Sequence, residues 1–373
     1  ISAFVFLLFY RKELHEKIFV QEEKNLLENN YQLFQEETEI EMGQKDQVIH
    51  MHEERWRISE KDLQWDTRVA AGGYGEVWKG KWKITGDRDV AIKKMFITAE
   101  NIDMVMENRV FDDTEINVLM QTGRDQNLVE FFGAGQMSTS HVFLVTEFVS
   151  GGDLFHRLSN TEKEFKWNAR LSILQDIASG MEFIHNIPMI HRDLKSMNVL
   201  LDLKGRAKIA DFGLSKFTGK HDSVKIPPAV GDFHGETKSS VLMTYGSFSI
   251  PWTAPEVLLR TGAIDGKFVA SYGLPADVFS FGVVVWEVIT RRVPWDHLDG
   301  EVFRQIAASV GCGERPTVAD DEMAEVVAEV PGLLDVCRDC WAQDSEKRPT
   351  FEEIVVRLKQ LCENCENCEN REK

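Results

Sequence analysis

His191-Arg192-Asp193-Leu194-Lys195-Ser196-Met197-Asn198 is followed, thirteen residues after Asn198, by Asp211-Phe212-Gly213. The first run sets a carboxylate, an ammonium group and a carboxamide close together, and the second adds another carboxylate. Asn198 and Asp211 offer hard oxygen ligands that leave room for phosphate and water, as magnesium requires. Polar residues in surface loops could produce either triplet alone. Both together, in this order and at this separation, define a candidate site.

Working outward, other landmarks stand in a fixed order. A Gly-rich turn runs Ala70-Ala71-Gly72-Gly73-Tyr74-Gly75-Glu76-Val77, and Val90-Ala91-Ile92-Lys93 follows it. After the Asp-Phe-Gly triplet come Ala254-Pro255-Glu256, Asp277-Val278-Phe279-Ser280-Phe281-Gly282 and Arg348-Pro349. With these landmarks, the stretch from Leu63 to Leu361 resembles the eukaryotic protein kinases. Lys195, Cys340-Trp341 and Arg348-Pro349-Thr350-Phe351 are similar to the tyrosine-kinase-like serine/threonine branch, the group of the mixed-lineage and Raf-like kinases. The resemblance implies an α+β, two-lobed fold with a β-rich small lobe holding one main helix, and a larger, mainly helical lobe. It also implies phosphoryl transfer from ATP, with Mg²⁺, to serine or threonine of protein substrates; dual specificity stays open.

The resemblance assigns roles residue by residue. Gly72, Gly73 and Gly75 would let the backbone bend over the phosphates. The first glycine of the family pattern is here Ala70, which puts loop flexibility in question. Lys93 would pair with the α- and β-phosphates, held by a carboxylate from the small-lobe helix: Glu115, with Glu107 as the alternative. Val77, Ala91 and Leu200 would sandwich adenine, Glu147 and Val149 would present backbone groups to it, and Thr146 would close the back of the pocket. Asp193 and Lys195 would act on the hydroxyl and the moving phosphoryl group, while Asn198 and Asp211 hold the metal. Arg192 implies control by phosphorylation of the segment Asp211 to Glu256, which offers Ser239, Ser240, Thr244, Tyr245 and Ser247. The family's Gly-Thr before Ala-Pro-Glu is displaced, because Gly246-Ser247 lies two residues early. Either Ser249 takes that threonine's place beside Asp193, or the loop bulges. Glu256 and Arg348 are expected as an ion pair bracing the large lobe, and Asp277 as the anchor of the catalytic-loop backbone.

Composition bounds the rest. A chain of 373 residues fits one large domain with appendages. A net charge of −18 argues against a nucleic-acid partner. All six cysteines follow residue 311, which suits a reducing compartment rather than a disulfide scaffold. Residues 362–373 read as a low-complexity Cys-Glu-Asn tail without the histidine that would complete a zinc site. Residues 1–10, Ile1 to Tyr10, are apolar and followed by Arg11-Lys12; they read as the cytoplasmic end of a transmembrane helix, with a signal-peptide remnant or buried strand as alternatives. Residues 11–62 read as a juxtamembrane helix with a weak heptad at Val20, Leu27, Phe34 and Val48, able to pair two copies or to serve as a solvated spacer. Localisation is expected at a membrane with the catalytic domain in the cytoplasm, or wholly cytoplasmic. The catalytic domain, 63–361, divides into a small lobe near 63–147 and a large lobe near 152–361. Strands are expected over Val69 to Lys81, Asp89 to Lys94 and His141 to Phe148, with a helix over 101–120. A catalytically idle scaffold acting by dimerisation is the rival reading.

Overall fold

In the computed structural model, five antiparallel strands build the small lobe: β1 (Leu63–Gly72), β2 (Gly75–Trp82), β3 (Arg88–Phe96), β4 (Phe131–Gln136) and β5 (His141–Glu147), ordered β1-β2-β3-β5-β4. The structure describes residues 56–72, 75–96, 119–137, 141–187, 189–211, 216–217, 224–226, 249–259, 262–264, 267–270, 273–296, 298 and 302–369. The chain divides into two compact units, Ile1–Arg57 and Ile58–Lys373; of the first, only Trp56 and Arg57 are described. The expected membrane segment, most of the juxtamembrane helix and nearly all of the 101–120 helix therefore lie outside the described residues. Among the described residues, no helix is long and apolar enough to cross a membrane.

Strand alternation sorts the small lobe into two faces. On one face Val90, Ile92, Phe143 and Val145 are buried with Ile58, Leu63 and Phe132, and Trp65, Trp78 and Trp82 pack against them. On the other face, register sets Val77 opposite Lys93 and Ala91 opposite Thr146. The expected strand Val69 to Lys81 is in fact a hairpin, β1 turning into β2, with Gly72 paired to Gly75. Gly75 must be glycine, since a Cβ there would stand 1.9 Å from Lys94 O. β4 was not expected, because Gly133 and Gly135 interrupt its apolar run. Close packing explains Gly135, whose Cβ would lie 2.2 Å from both Ile58 O and Phe143 Cζ. Ile58, ahead of β1, is also a core residue and donates its N–H to Ala134 O at 2.8 Å.

The large lobe follows with α1 (Leu154–Ser159), α2 (Trp167–Asn186), β6 (Met189–Ile190), β7 (Val199–Leu201), β8 (Ala207–Ile209), β9 (Lys216–Phe217) and β10 (Val224–Ile226). Beyond these come α3 (Pro255–Leu259), β11 (Gly262–Ile264), β12 (Lys267–Ala270), α4 (Leu274–Thr290), α5 (Val302–Gly311), α6 (Asp320–Glu329), α7 (Leu333–Cys340) and α8 (Phe351–Glu369). Every residue of α4 from Ala276 to Thr290 is buried, which makes it the central post of the lobe. Trp252, Trp286, Trp295 and Trp341 are all buried, as expected of core aromatics. The expected tail beyond residue 361 instead continues α8 to Glu369, and Cys365 packs into the lobe's core.

The lobes meet through short backbone pairings. Gly151 N–H donates to Leu201 O and Leu201 N–H to Gly152 O, each at 2.8 Å, so the segment after β5 lies along β7. On the other side, Ile209 N–H donates to Asn127 O at 2.7 Å and Val129 N–H to Ile209 O at 2.9 Å. Leu128 is fully buried in the large-lobe core, although the sequence boundary assigns it to the small lobe.

Candidate active site

The loop between β6 and β7 carries Asp193, Lys195 and Asn198, and side chains close it into one cluster. Lys195 Nζ donates to Asp193 Oδ2 at 2.7 Å, and Asn198 Nδ2 donates to the same oxygen at 2.9 Å and to Asp193 O at 2.7 Å. Ser249 Oγ donates to Asp193 Oδ1 at 2.7 Å and accepts from Lys195 Nζ at 2.6 Å. Of the two readings of the displaced motif, the one with Ser249 beside Asp193 is what the structure holds. The sequence alone left that choice open, because Ser249 is 56 residues from Asp193 along the chain.

The backbone of this loop hangs from α4. The Asp277 carboxylate accepts from His191 N at 2.8 Å and Arg192 N at 2.9 Å, and from the His185 ring at 3.0 Å. Burial pushes the Asp277 carboxyl up, but the His185 hydrogen bond and charge, His191 and the Arg192 amide bring it below the usual carboxylate range. Arg192 takes a left-handed backbone, φ 71°, as does Asp211, φ 66°. Non-glycine residues adopt that region at a cost, and two residues of this site carry it. His191 Nε2 faces Ala210 O at 3.1 Å while its Nδ1 accepts from Asp193 N at 3.3 Å, which assigns the proton to Nε2.

Asp211 follows β8 and is brought to the loop by Ala210 N–H, which donates to Asn198 O at 2.8 Å. Lys93, reaching across the cleft from β3, donates to Asp211 Oδ1. Crowding of the cleft pushes the Asp211 carboxyl up; the Lys93 charge and hydrogen bond, backed by His191 and Lys195, leave it below its ordinary value. Asn198 commits its Nδ2 to Asp193, so its Oδ1 is the end that would take a cation. That donor set, one carboxylate and one carboxamide oxygen, fits a hard divalent cation. Among the described residues no three His, Cys, Asp or Glu side chains form a metal-holding group, so ligands beyond this pair would come from phosphate and water.

The remaining expected residues are distributed as follows. Val77, Ala91 and Thr146 share the strand face that bears Lys93, while Leu200 on β7 pairs with Asp153 beneath it. Glu147 turns its carboxylate to Lys208 at 2.9 Å, and its N–H donates to Glu130 O. Val149 is buried just beyond. Gly72 and Gly75 flank the hairpin turn. Gly73, Glu115, Glu107 and the expected phosphorylation sites lie outside the described residues. The Glu256–Arg348 pair forms as a two-pronged bridge, Nη1 to Oε1 at 2.6 Å and Nη2 to Oε2 at 2.8 Å, with the arginine side chain 0% exposed.

One functional candidate escaped the sequence reading. Glu287 on α4 is 1% exposed, and its carboxylate accepts from Ser196 Oγ at 2.6 Å and Trp252 Nε1 at 2.8 Å. Burial pushes its carboxyl up to about 7 against the pull of those hydrogen bonds. The available signal was a lone carboxylate inside the apolar run Val283 to Ile289.

A two-lobed molecule with this cleft belongs to the protein kinase class. Residues 63–358 match the family described as protein tyrosine and serine/threonine kinase, and the chain belongs to that family. A proposed serine/threonine-protein kinase/receptor of Acanthamoeba polyphaga mimivirus is 34% identical over 308 residues, covering 82% of this chain and 17% of that protein. The serine/threonine-protein kinases STY46 and STY17 of Arabidopsis thaliana are each 31% identical, covering 82% and 83% of this chain and 45% and 46% of theirs. These plant kinases belong to the tyrosine-kinase-like group, in keeping with the branch resemblance. The chain spans less than half the length of these relatives.

Proposed function

We propose that this chain transfers the γ-phosphoryl group of ATP to serine or threonine hydroxyls of proteins. The observation that carries the reading is the closed cluster of Asp193, Lys195, Asn198 and Ser249. Asp193 Oδ1 and Oδ2 converge where an incoming hydroxyl must be oriented, and accept its proton late in transfer. Lys195 screens the charge of the moving group, and Ser249 holds Lys195 and Asp193 in register. Lys93 grips the α- and β-phosphates, with Glu115 as its proposed carboxylate partner. Gly72, Gly73 and Gly75 cover the phosphates, while Val77, Ala91 and Leu200 bracket adenine against the backbone of Glu147 and Val149. Asn198 and Asp211 would hold Mg²⁺, which supplies positive charge to the phosphates when bound.

The test gives the full chain labelled ATP, Mg²⁺ and a generic basic protein beside an Asp193→Asn control, followed by phosphoamino acid analysis. Label on serine or threonine, absent in the control, is expected. Label confined to tyrosine, or none in the wild type, would sink the reading.

Three further properties belong to the proposal. Ile1 to Tyr10 with Arg11-Lys12 supports a single-pass anchor; an extract in which the chain stays soluble would count against it. Arg192 beside Asp193 supports control by phosphate on the Asp211–Glu256 segment, to be read by mass spectrometry after ATP treatment. The 11–62 heptad supports pairing of two copies, which a strict monomer in ultracentrifugation would exclude.

A further inference from the structure

Two chain segments meet at Asp193: the catalytic loop and the stretch Ser249 to Thr253, which ends just before α3. Their relative register decides whether Ser249 and Lys195 reach the same carboxylate. Both segments are tied to one buried side chain. Ser196, lying between Lys195 and Asn198, donates its hydroxyl to Glu287 Oε1, and Trp252 donates its indole N–H to Oε2. The Ser196 backbone also hydrogen-bonds this carboxyl. Trp252 is joined in turn to Ser249 by its own N–H, at 2.9 Å to Ser249 O, and its carbonyl accepts from Ser280 Oγ of α4 at 2.7 Å. The hydrogen-bonding partners of the Glu287 carboxyl, Ser196 and Trp252, are neutral. A carboxyl buried among neutral donors is a costly way to fill a helix position. An apolar residue would pack there without that cost, but would leave the serine and indole donors unpaired.

We propose that Glu287 is a positioning residue that sets the register between the catalytic loop, through Ser196, and the Ser249–Thr253 segment, through Trp252. Asp277 fixes the start of the loop from the first turn of α4, and Glu287 fixes its end from the last turns. The inference rests on the phosphotransfer reading above.

The test is steady-state kinetics of the full chain with ATP and the generic basic protein, comparing wild type, Glu287→Gln, Ser196→Ala, Trp252→Phe and the Ser196→Ala/Trp252→Phe pair. Melting curves accompany each variant, and Ser196→Ala leaves the buried carboxyl in place should another variant fold poorly. Glu287→Gln is expected to lower kcat about tenfold and raise KM for the protein substrate, with KM for ATP within about twofold of wild type. If both arms act through one carboxylate, the double variant loses about as much kcat as the worse single variant. Losses that multiply, or fall equally on both KM values, or a Glu287→Gln enzyme with wild-type kinetics, would overturn the proposal. A wild-type chain that transfers no phosphate would overturn the phosphotransfer reading as well, a result visible before any variant is compared.

Discussion

The floor and the roof of the cleft are built on different principles. The floor is a loop with little regular structure, and its groups are placed by carboxylates on one buried helix: Asp277 at the start of the loop, Glu287 at its end. The roof is a sheet whose register alone sets Lys93, Ala91, Val77 and Thr146 on one face, with the apolar core on the other. A hydrogen-bonded loop depends on single side chains, whereas a sheet spreads its positioning over many backbone bonds. Point changes should therefore be more damaging in the floor and its supports than among the strands.

The largest expected effect separates the two regions directly. Asp193→Asn should reduce kcat by about 10²–10⁴-fold with little change in KM for ATP, whereas Lys93→Ala should also weaken nucleotide binding. Binding of a fluorescent ATP analogue to both variants checks the distinction. Equal nucleotide affinity in the two would break it.

Supports of the large lobe come next. Glu256→Ala strands Arg348 in the core with the Ala342 and Pro275 carbonyls as hydrogen-bond acceptors and the Phe279 ring beside it, and with its carboxylate partner gone. It should cost about 3–5 kcal/mol of stability, measured by urea unfolding of the domain. A loss below about 1 kcal/mol would mean that those two carbonyls suffice.

The two acids of α4 should respond to pH with opposite sign. The Asp277 carboxyl is held low, so its contribution is present above the ordinary value of 3.8 and is lost as pH falls through the folded value. Glu287 is raised from 4.5 to about 7, so its contribution is full below 4.5 and is lost as pH rises through 7. Between those limits it should remove on the order of 3 kcal/mol. Glu287→Gln should flatten that fall when unfolding midpoints are compared at several values between pH 5 and pH 7.5. An unchanged slope would show that other groups set it.

The smallest effect tests how the floor is closed. Ser249→Ala should lower kcat by about tenfold, because Asp193 and Lys195 lose their shared hydroxyl. Ser249→Thr keeps the hydroxyl and should stay within about threefold of wild type.

Much of this arrangement is legible in the sequence wherever function is carried by neighbours along the chain. Asp193, Lys195 and Asn198 lie within one loop, so their grouping needs no long-range information. β2, β3 and β5 show as apolar, β-branched runs. Elsewhere the signal fails for physical reasons. β4 hides because Gly133 and Gly135 weaken its pattern, yet Gly135 is there to admit Ile58 and Phe143. The Cys-Glu-Asn repeat looks like a polar tail, but Cys365 falls on the buried face of α8. Trp252 shows as a core aromatic, and only its indole N–H reveals the second role.

By itself the sequence determined the class of fold and the grouping of Asp193, Lys195 and Asn198 in one loop, because short-range spacing dictates which groups a loop can bring together. Only the tertiary structure decided that Ser249 closes on Asp193, that Glu287 joins the loop to the segment after it, and that Leu128 belongs to the large-lobe core. Those contacts join residues 56, 91, 35 and 81 positions apart, counting Leu128 to Ile209 last. Pairings at such separations are selected by packing around a common core, and no local pattern specifies the partner.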